Sequence, residues 1–250
     1  MMKNGIDVSE HQGVIDWTRV KADFAIIRAG YGREISQKDK KFDINYAGAK
    51  AAGIPCGAYW YSYAQSEEEA RTEAAVCLEI IKGKQFEYPV YFDVEENSVL
   101  RLGMNAVSNI ISAFCDEMEK AGYWVGLYMS ASPLKTYVTQ QVRDRYAIWV
   151  AHYGVSKPSY SGSYGMWQYA SDGKVNGIAG NVDMDYCYID YPKAIKEAGK
   201  NGFKKEEPKP VEPKPEPEPE TKPEEPQLKT IDVEVVVDGI KYGGTLTEKK

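Results

Sequence analysis

Short apolar runs, most of them followed by a stretch of helical pattern, recur along residues 5–189 and restrict the fold more than any other feature of the chain. The runs read as strands at Gly5–Val8, Phe24–Ala29, Cys56–Tyr63, Val90–Glu95, Trp124–Tyr128, Ala147–Ala151, Gly165–Tyr169 and Met184–Ile189. Helical periodicity is expected over Asp16–Ala22, Lys40–Ala52, Ser66–Lys82, Ala106–Ala121 and Pro192–Ala198. Ser66 followed by Glu69 fits a capping box, and Gly53, Gly83 and Gly122 stand where helices should stop. Strand–helix alternation calls for a mainly parallel sheet, and this many strands suggest closure. The later strands lack full-length helices between them. The expected fold class is therefore α/β, as a modified, incomplete TIM-like β/α barrel.

The pattern stops near residue 203. Lys204–Pro226 holds eight prolines, five lysines and eight glutamates in 23 residues, too little apolar surface to fold, and the prolines keep such a segment extended. Beyond it, Thr230–Val237 alternates with β-branched residues, Asp238-Gly239 reads as a turn, and Ile240–Thr247 returns as a second strand. The expected division is a catalytic body at 1–199, a Pro/Glu/Lys linker at 200–227 and a short β-hairpin tail at 228–250. A lone hairpin is marginal in water. Pairing with copies of itself, docking elsewhere, or serving as the start of a larger module all stay open for the tail.

A net charge of -6, half of it in the linker, argues against nucleic acid as a partner. No run approaches a membrane span and no positively charged leader precedes an apolar stretch. The expected location is synthesis in the cytoplasm, with action outside after release. Four cysteines (Cys56, Cys77, Cys115, Cys187) show no ligand spacing and read as buried thiols. His11 and His152 have no His or Cys neighbour at metal-ligand spacing and read as structural or rim residues. No metal and no cofactor is implied.

In parallel barrels the chemistry sits at the C-terminal strand ends. Here those ends carry Asp7, Arg28, Tyr59, Tyr61, Asp93, Glu95, Tyr128, Trp149, His152 and Gln168. The sharpest feature is Tyr91-Phe92-Asp93-Val94-Glu95. Residues two apart on a strand share a face, with Cα atoms roughly 6.5–7 Å apart. Val90 and Phe92 should then pack on the other side. Two neighbouring carboxyls repel, so at least one should hold its proton upward in pH, as a glycosidase acid must. Aromatic side chains suit the C–H faces of sugars, although packing explains any single ring equally well.

The segments GIDVSEHQGVIDW at 5–17, FAIIRAGYG at 24–32, GAYWYSYA at 57–64, PVYFDVEEN at 89–97, GLYMS at 126–130, IWVAHYG at 148–154 and MWQYASDGKVNGIAGNVDMDY at 166–186 together resemble glycoside hydrolase family 25, the Chalaropsis-type lysozymes. The resemblance implies cleavage of the β-1,4 bond between N-acetylmuramic acid and N-acetylglucosamine in bacterial peptidoglycan. It also suggests a phage or prophage endolysin. It implies catalytic roles for Asp7, Asp93, Glu95 and Asp183, with Asp185 close by, while the strand-end residues Tyr59, Tyr61, Tyr128, Trp149 and Gln168 are the expected substrate contacts. Glu95 would be the general acid. Asp93 would orient the substrate N-acetyl group or stabilise the charged intermediate. Trp60 and Arg28 depart from the His and Lys that many members carry, which bears on subsite preference. Hydrolysis of chitin or another N-acetylhexosamine polymer, and non-catalytic glycan binding, remain the alternatives.

Overall fold

A computed structural model describes residues 2–205, 230–237 and 240–247. They fall in two compact units, 1–206 and 207–250. In the first, β1 (Lys3–Val8), β2 (Phe24–Tyr31), β3 (Cys56–Tyr61), β4 (Val90–Asp93), β5 (Val125–Ser130), β6 (Ala147–Ala151), β7 (Met166–Gly173) and β8 (Val182–Cys187) close a barrel in sequence order. The helices are α1 (Phe42–Ala51), α2 (Glu67–Ile81), α3 (Asn97–Leu100), α4 (Met104–Lys120), α5 (Ala131–Tyr137), α6 (Gln140–Arg145) and α7 (Tyr191–Ala198).

Pairing is parallel from β1 through β7, whereas β8 is antiparallel to both β7 and β1. The departure from a regular barrel takes this form: the wall is closed, and its last strand is reversed. An antiparallel step needs no crossover helix, so β8 follows β7 without one. The connections after β4 and β5 carry the short α3, α5 and α6, which sequence periodicity does not reveal because each is under two turns.

One expected helix is absent. At Asp16–Ala22 the chain makes a turn, because Asp16 Oδ1 accepts from Thr18 N–H (3.2 Å) and Thr18 Oγ1 (2.6 Å). Such local bonds compete with helical ones. Trp17 is meanwhile buried, with its indole lying against Gly48. At α2 the cap forms with a shift: Ser66 Oγ accepts from Glu69 N–H (3.2 Å), while Glu69 Oε2 accepts from Gln65 N–H (2.7 Å). Gly122 ends α4 at φ 90°, the left-handed backbone a glycine tolerates best.

Period-2 alternation sorts the side chains. One set faces the helices, where Phe92 stacks on Phe114 of α4 with ring centroids 3.9 Å apart. The other fills the barrel: Phe24, Ile26, Tyr91, Trp149, Met166 and Cys187, all buried, with Tyr191 and Ile195 of α7 packed against them. The four cysteines are free and buried. The packed body runs past residue 199. Asn201 is buried at φ 55°, donating to Phe86 O (3.1 Å) and Tyr88 O (2.8 Å) and accepting from Trp124 N–H (2.6 Å). Each buried backbone group left unpaired costs about 1–3 kcal/mol. Asn201→Ala should therefore lower stability by at least about 3 kcal/mol, read as a lower urea midpoint. A midpoint equal to wild type would show that this clasp contributes nothing.

The second unit is an antiparallel pair, β9 (Thr230–Val237) and β10 (Ile240–Thr247), in register from Thr230↔Thr247 to Val237↔Ile240. The expected turn at Asp238-Gly239 and the linker over 206–227 lie outside the described residues.

Candidate active site

The nine residues given catalytic or substrate-contact roles from the sequence line one cavity of about 300 Å³ at the C-terminal ends of β1–β7: Asp7, Tyr59, Tyr61, Asp93, Glu95, Tyr128, Trp149, Gln168 and Asp183. His11, Arg28 and Tyr153 complete its wall. Asp183 arrives by a different route from the others. Because β8 runs backwards, its first residues reach the mouth where the other strands end, and Asp183 pairs directly across from Asp7.

The set divides into a floor and a rim. Trp149, Tyr128 and Gln168 are buried and form the floor, while Tyr61 and Glu95 stand higher and wetter. On the floor, Gln168 Nε2 donates to Asp7 Oδ2 (2.7 Å), and Tyr128 O–H donates to Gln168 Oε1 (2.6 Å), which also accepts from Tyr153. Trp149 Nε1 donates to Asp185 Oδ1 (2.8 Å) below. The amide of Gln168 is thereby fixed in orientation, with its N–H side toward the acid.

β4 ends at Asp93, two residues short of the expected strand end, so the two carboxyls take unlike surroundings. Asp93 is buried, and its Oδ1 has no hydrogen-bond partner among the described residues. Burial first, then the charge of Glu95, pushes the Asp93 carboxyl well above the usual range, with Arg28 opposing. Glu95 lies past the strand end, open to solvent on one side and crowded by the mouth on the other. Partial burial, then Glu96 and Asp183, raise it too. Asp7 and Asp183 are likewise raised, chiefly by burial.

Arg28 is held by two carboxylates, through Nε to buried Asp39 (2.7 Å) and through a terminal nitrogen to Glu10 (3.1 Å), and lies 3.3 Å from His11 Nε2. It thus faces the acids as a fixed cation. His11 sits at the rim as expected, and His152 Nδ1 accepts from Ser159 N–H (3.0 Å). Sequence reasoning passed over Tyr153 because it follows β6 in a loop with no periodic pattern. It also left Glu96, which accepts from Tyr61 O–H at 2.9 Å, unassigned.

The cavity continues on both sides. One extension of about 350 Å³ shares His11, Arg28 and Tyr61 and adds Glu10, Tyr31 and Tyr63. Another of about 320 Å³ shares Tyr153 and adds His152 and Ser130 among others. The three hollows adjoin through these shared residues and form a trough at the barrel mouth. Two larger hollows, about 580 and 960 Å³, lie near α4, α6 and the bases of β5 and β6, away from this acid cluster. Among the described residues no cluster of His, Cys, Asp or Glu is arranged to hold a metal ion.

Known proteins resemble this chain over most of the barrel. The profile of the family described as Glycosyl hydrolases family 25 matches residues 6–178. An autolytic lysozyme of Clostridium acetobutylicum is 32% identical over 184 residues, covering 72% of this chain and 54% of that protein. The chain therefore spans about half the length of that relative. Lysozyme M1 of Streptomyces globisporus is 30% identical over 198 residues, or 72% of this chain and 66% of that one. Among solved structures, the bacterial lysozyme from Streptomyces coelicolor superposes with a TM-score of 0.68 at 28% identity, over 78% of this chain and 96% of that one. The CTP1L endolysin gives 0.69 at 28% identity, over 78% of this chain and 69% of that chain.

Proposed function

The chain belongs to glycosyl hydrolase family 25, and on that premise we propose that it is a muramidase, cleaving the β-1,4 bond between N-acetylmuramic acid and N-acetylglucosamine in bacterial peptidoglycan. The observation that carries the reading is the pair of unlike carboxyls at the end of β4, an orphaned buried Asp93 beside an exposed Glu95, lining one cavity at the barrel mouth. A polymer can lie across the trough with one linkage over Glu95.

Glu95 acts as general acid. Its raised proton affinity lets it hold a proton to higher pH than an ordinary glutamate, and its position at the rim lets it reach a glycosidic oxygen. Asp93 Oδ1 offers an unused acceptor, and the N–H of a substrate N-acetyl group fits it. Held there, the acetyl oxygen can assist at the anomeric carbon in place of an enzyme nucleophile. Asp7 and Asp183 position substrate or water. Tyr61, Tyr63, Tyr31 and Tyr153 offer ring faces along the trough for the sugar C–H faces.

The inferred place of action is the cell wall, after release from the cytoplasm. Among the described residues no helix is long and apolar enough to cross a membrane. Pairing of copies through the 228–250 tail has no support among the relatives.

Incubation with purified peptidoglycan should clear turbidity and release fragments whose reducing ends are N-acetylmuramic acid, while chitin should stay intact. Reducing N-acetylglucosamine ends from peptidoglycan, or comparable release from chitin, would reassign the substrate.

A further inference from the structure

Asp185 is a fully buried carboxyl that the proposed reaction leaves without a role. The antiparallel register of β1 on β8 sets Asp7 across from Asp183, and Asp185 across from Gly5 one pleat deeper. All three acids therefore face the barrel interior on one patch of wall. Two of the bonds available to Asp7 and Asp185 are accounted for: Gln168 Nε2 to Asp7 Oδ2 at 2.7 Å and Trp149 Nε1 to Asp185 Oδ1 at 2.8 Å. Asp185 Oδ2 has no N–H or hydroxyl donor among the described residues, and the register makes the Asp185 carboxyl a diagonal neighbour of the Asp7 carboxyl, which Asp183 also adjoins. Two carboxylates can join by a hydrogen bond only if one of them carries a proton. A single O–H from Asp7 to Asp185 Oδ2 satisfies the orphaned oxygen and removes one of two adjacent charges.

We infer that Asp185 is a positioning residue, sharing one proton with Asp7 so that the Asp7 carboxyl is held uncharged and turned toward the barrel wall. Its catalytic consequence rests on the muramidase reading, and the shared proton does not. The surroundings favour retention of that proton. Facing the pair are Asp183 and Cys187 of β8, Tyr59 of β3, Tyr128 of β5, Tyr153 after β6 and Tyr169 of β7, while Asp93 and Glu95 line the same cavity as Asp7. Arg28 is the nearby guanidinium, and Asp39 and Glu10 already engage it. Burial and the neighbouring acids raise both members of the pair, as happens when two carboxyls share a site. In substrate binding, a neutral Asp7 presents no charge to a sugar, while Asp183 stays free to ionise.

The test uses the full chain with aspartate side-chain carboxyls labelled with carbon-13, titrated by NMR. Wild type should show, apart from any signal of the buried Asp93, a protonated carboxyl at neutral pH that loses its proton only on the alkaline side. Asp7→Asn and Asp185→Asn should each remove that signal, and Asp93→Asn should leave it. In Asp185→Asn the amide N–H replaces the shared proton, the amide oxygen still accepts from Trp149, and Asp7 ionises. On peptidoglycan, kcat of Asp185→Asn should fall by about tenfold with KM little changed, and the alkaline limb of kcat should lose one ionisation. Absence of the protonated signal in wild type, or its persistence in both Asp7→Asn and Asp185→Asn, would overturn the inference. A wild-type chain inert on peptidoglycan would sink the muramidase reading alone, because the carboxyl titration reads the proton directly.

Discussion

Glu95→Gln is expected to slow peptidoglycan hydrolysis by roughly 10²–10⁴-fold with little change in substrate binding. The amide matches the carboxyl in size and keeps a hydrogen-bonding group at the rim, so the trough keeps its shape. What disappears is the proton that a departing sugar oxygen must receive. The sign with pH follows from the same chemistry. The acid works only while protonated, so wild-type activity falls as pH rises through its proton affinity, which burial, Glu96 and Asp183 hold above the usual glutamate value. Glu96→Gln removes one of those charges and should shift this limb toward lower pH. The measurement is reducing-end release at several pH values for the three proteins. Equal rates for wild type and Glu95→Gln would take the acid role away from Glu95.

Asp93→Asn is expected to do two opposite things: lower activity by orders of magnitude and raise the melting temperature at pH 8. Asp93 is buried, and its folded-state proton affinity lies well above the ordinary aspartate value. The folded chain therefore keeps a proton that the unfolded chain releases above about pH 4. By linkage the stabilising contribution of this group is complete at acid pH and is lost as pH climbs through the raised value. Asparagine has no such proton to lose. At pH 4 the two proteins should melt together, and at pH 8 the variant should melt higher by about 4 °C or more, the equivalent of roughly 1–2 kcal/mol in a domain of this size. Glu73, buried on α2 and raised by burial from 4.5 to about 7, acts with the same sign. Wild type should accordingly be most stable at mildly acid pH. Glu117 has the opposite sign, held below the usual value by a hydrogen bond from Lys120, but it lies at the surface where screening leaves little effect. A variant less stable than wild type at pH 8, or equally stabilised at both pH values, would show that Asp93 is not a strained acid. The trade is one that active sites commonly make, a buried group kept for chemistry at the expense of stability.

The strands of the barrel and the faces of β4 are legible in the chain alone. Alternation is a local property: Phe92 packs outward on Phe114 and Asp93 turns inward because successive side chains must point to opposite sides of a strand. The rule that parallel barrels act at their C-terminal strand ends then collects Asp7, Tyr59, Tyr61, Asp93, Tyr128, Trp149 and Gln168 without any coordinates. That rule fails for Asp183, which begins a strand, and Asp183 entered only through the resemblance to a family. Its place at the mouth depends on the reversal of β8, a matter of how the last strand closes the wall between β7 and β1. The turn at Asp16–Ala22 was misread for a related reason, since helical spacing says nothing of a side chain that bonds its own backbone. Local pattern thus determined which residues face inward on each strand. Tertiary structure decided which of those acids meet, which are buried and which stay wet. Proton affinity depends on neighbours brought together from opposite ends of the chain, as Asp7 and Asp185 are, and no local pattern carries that information.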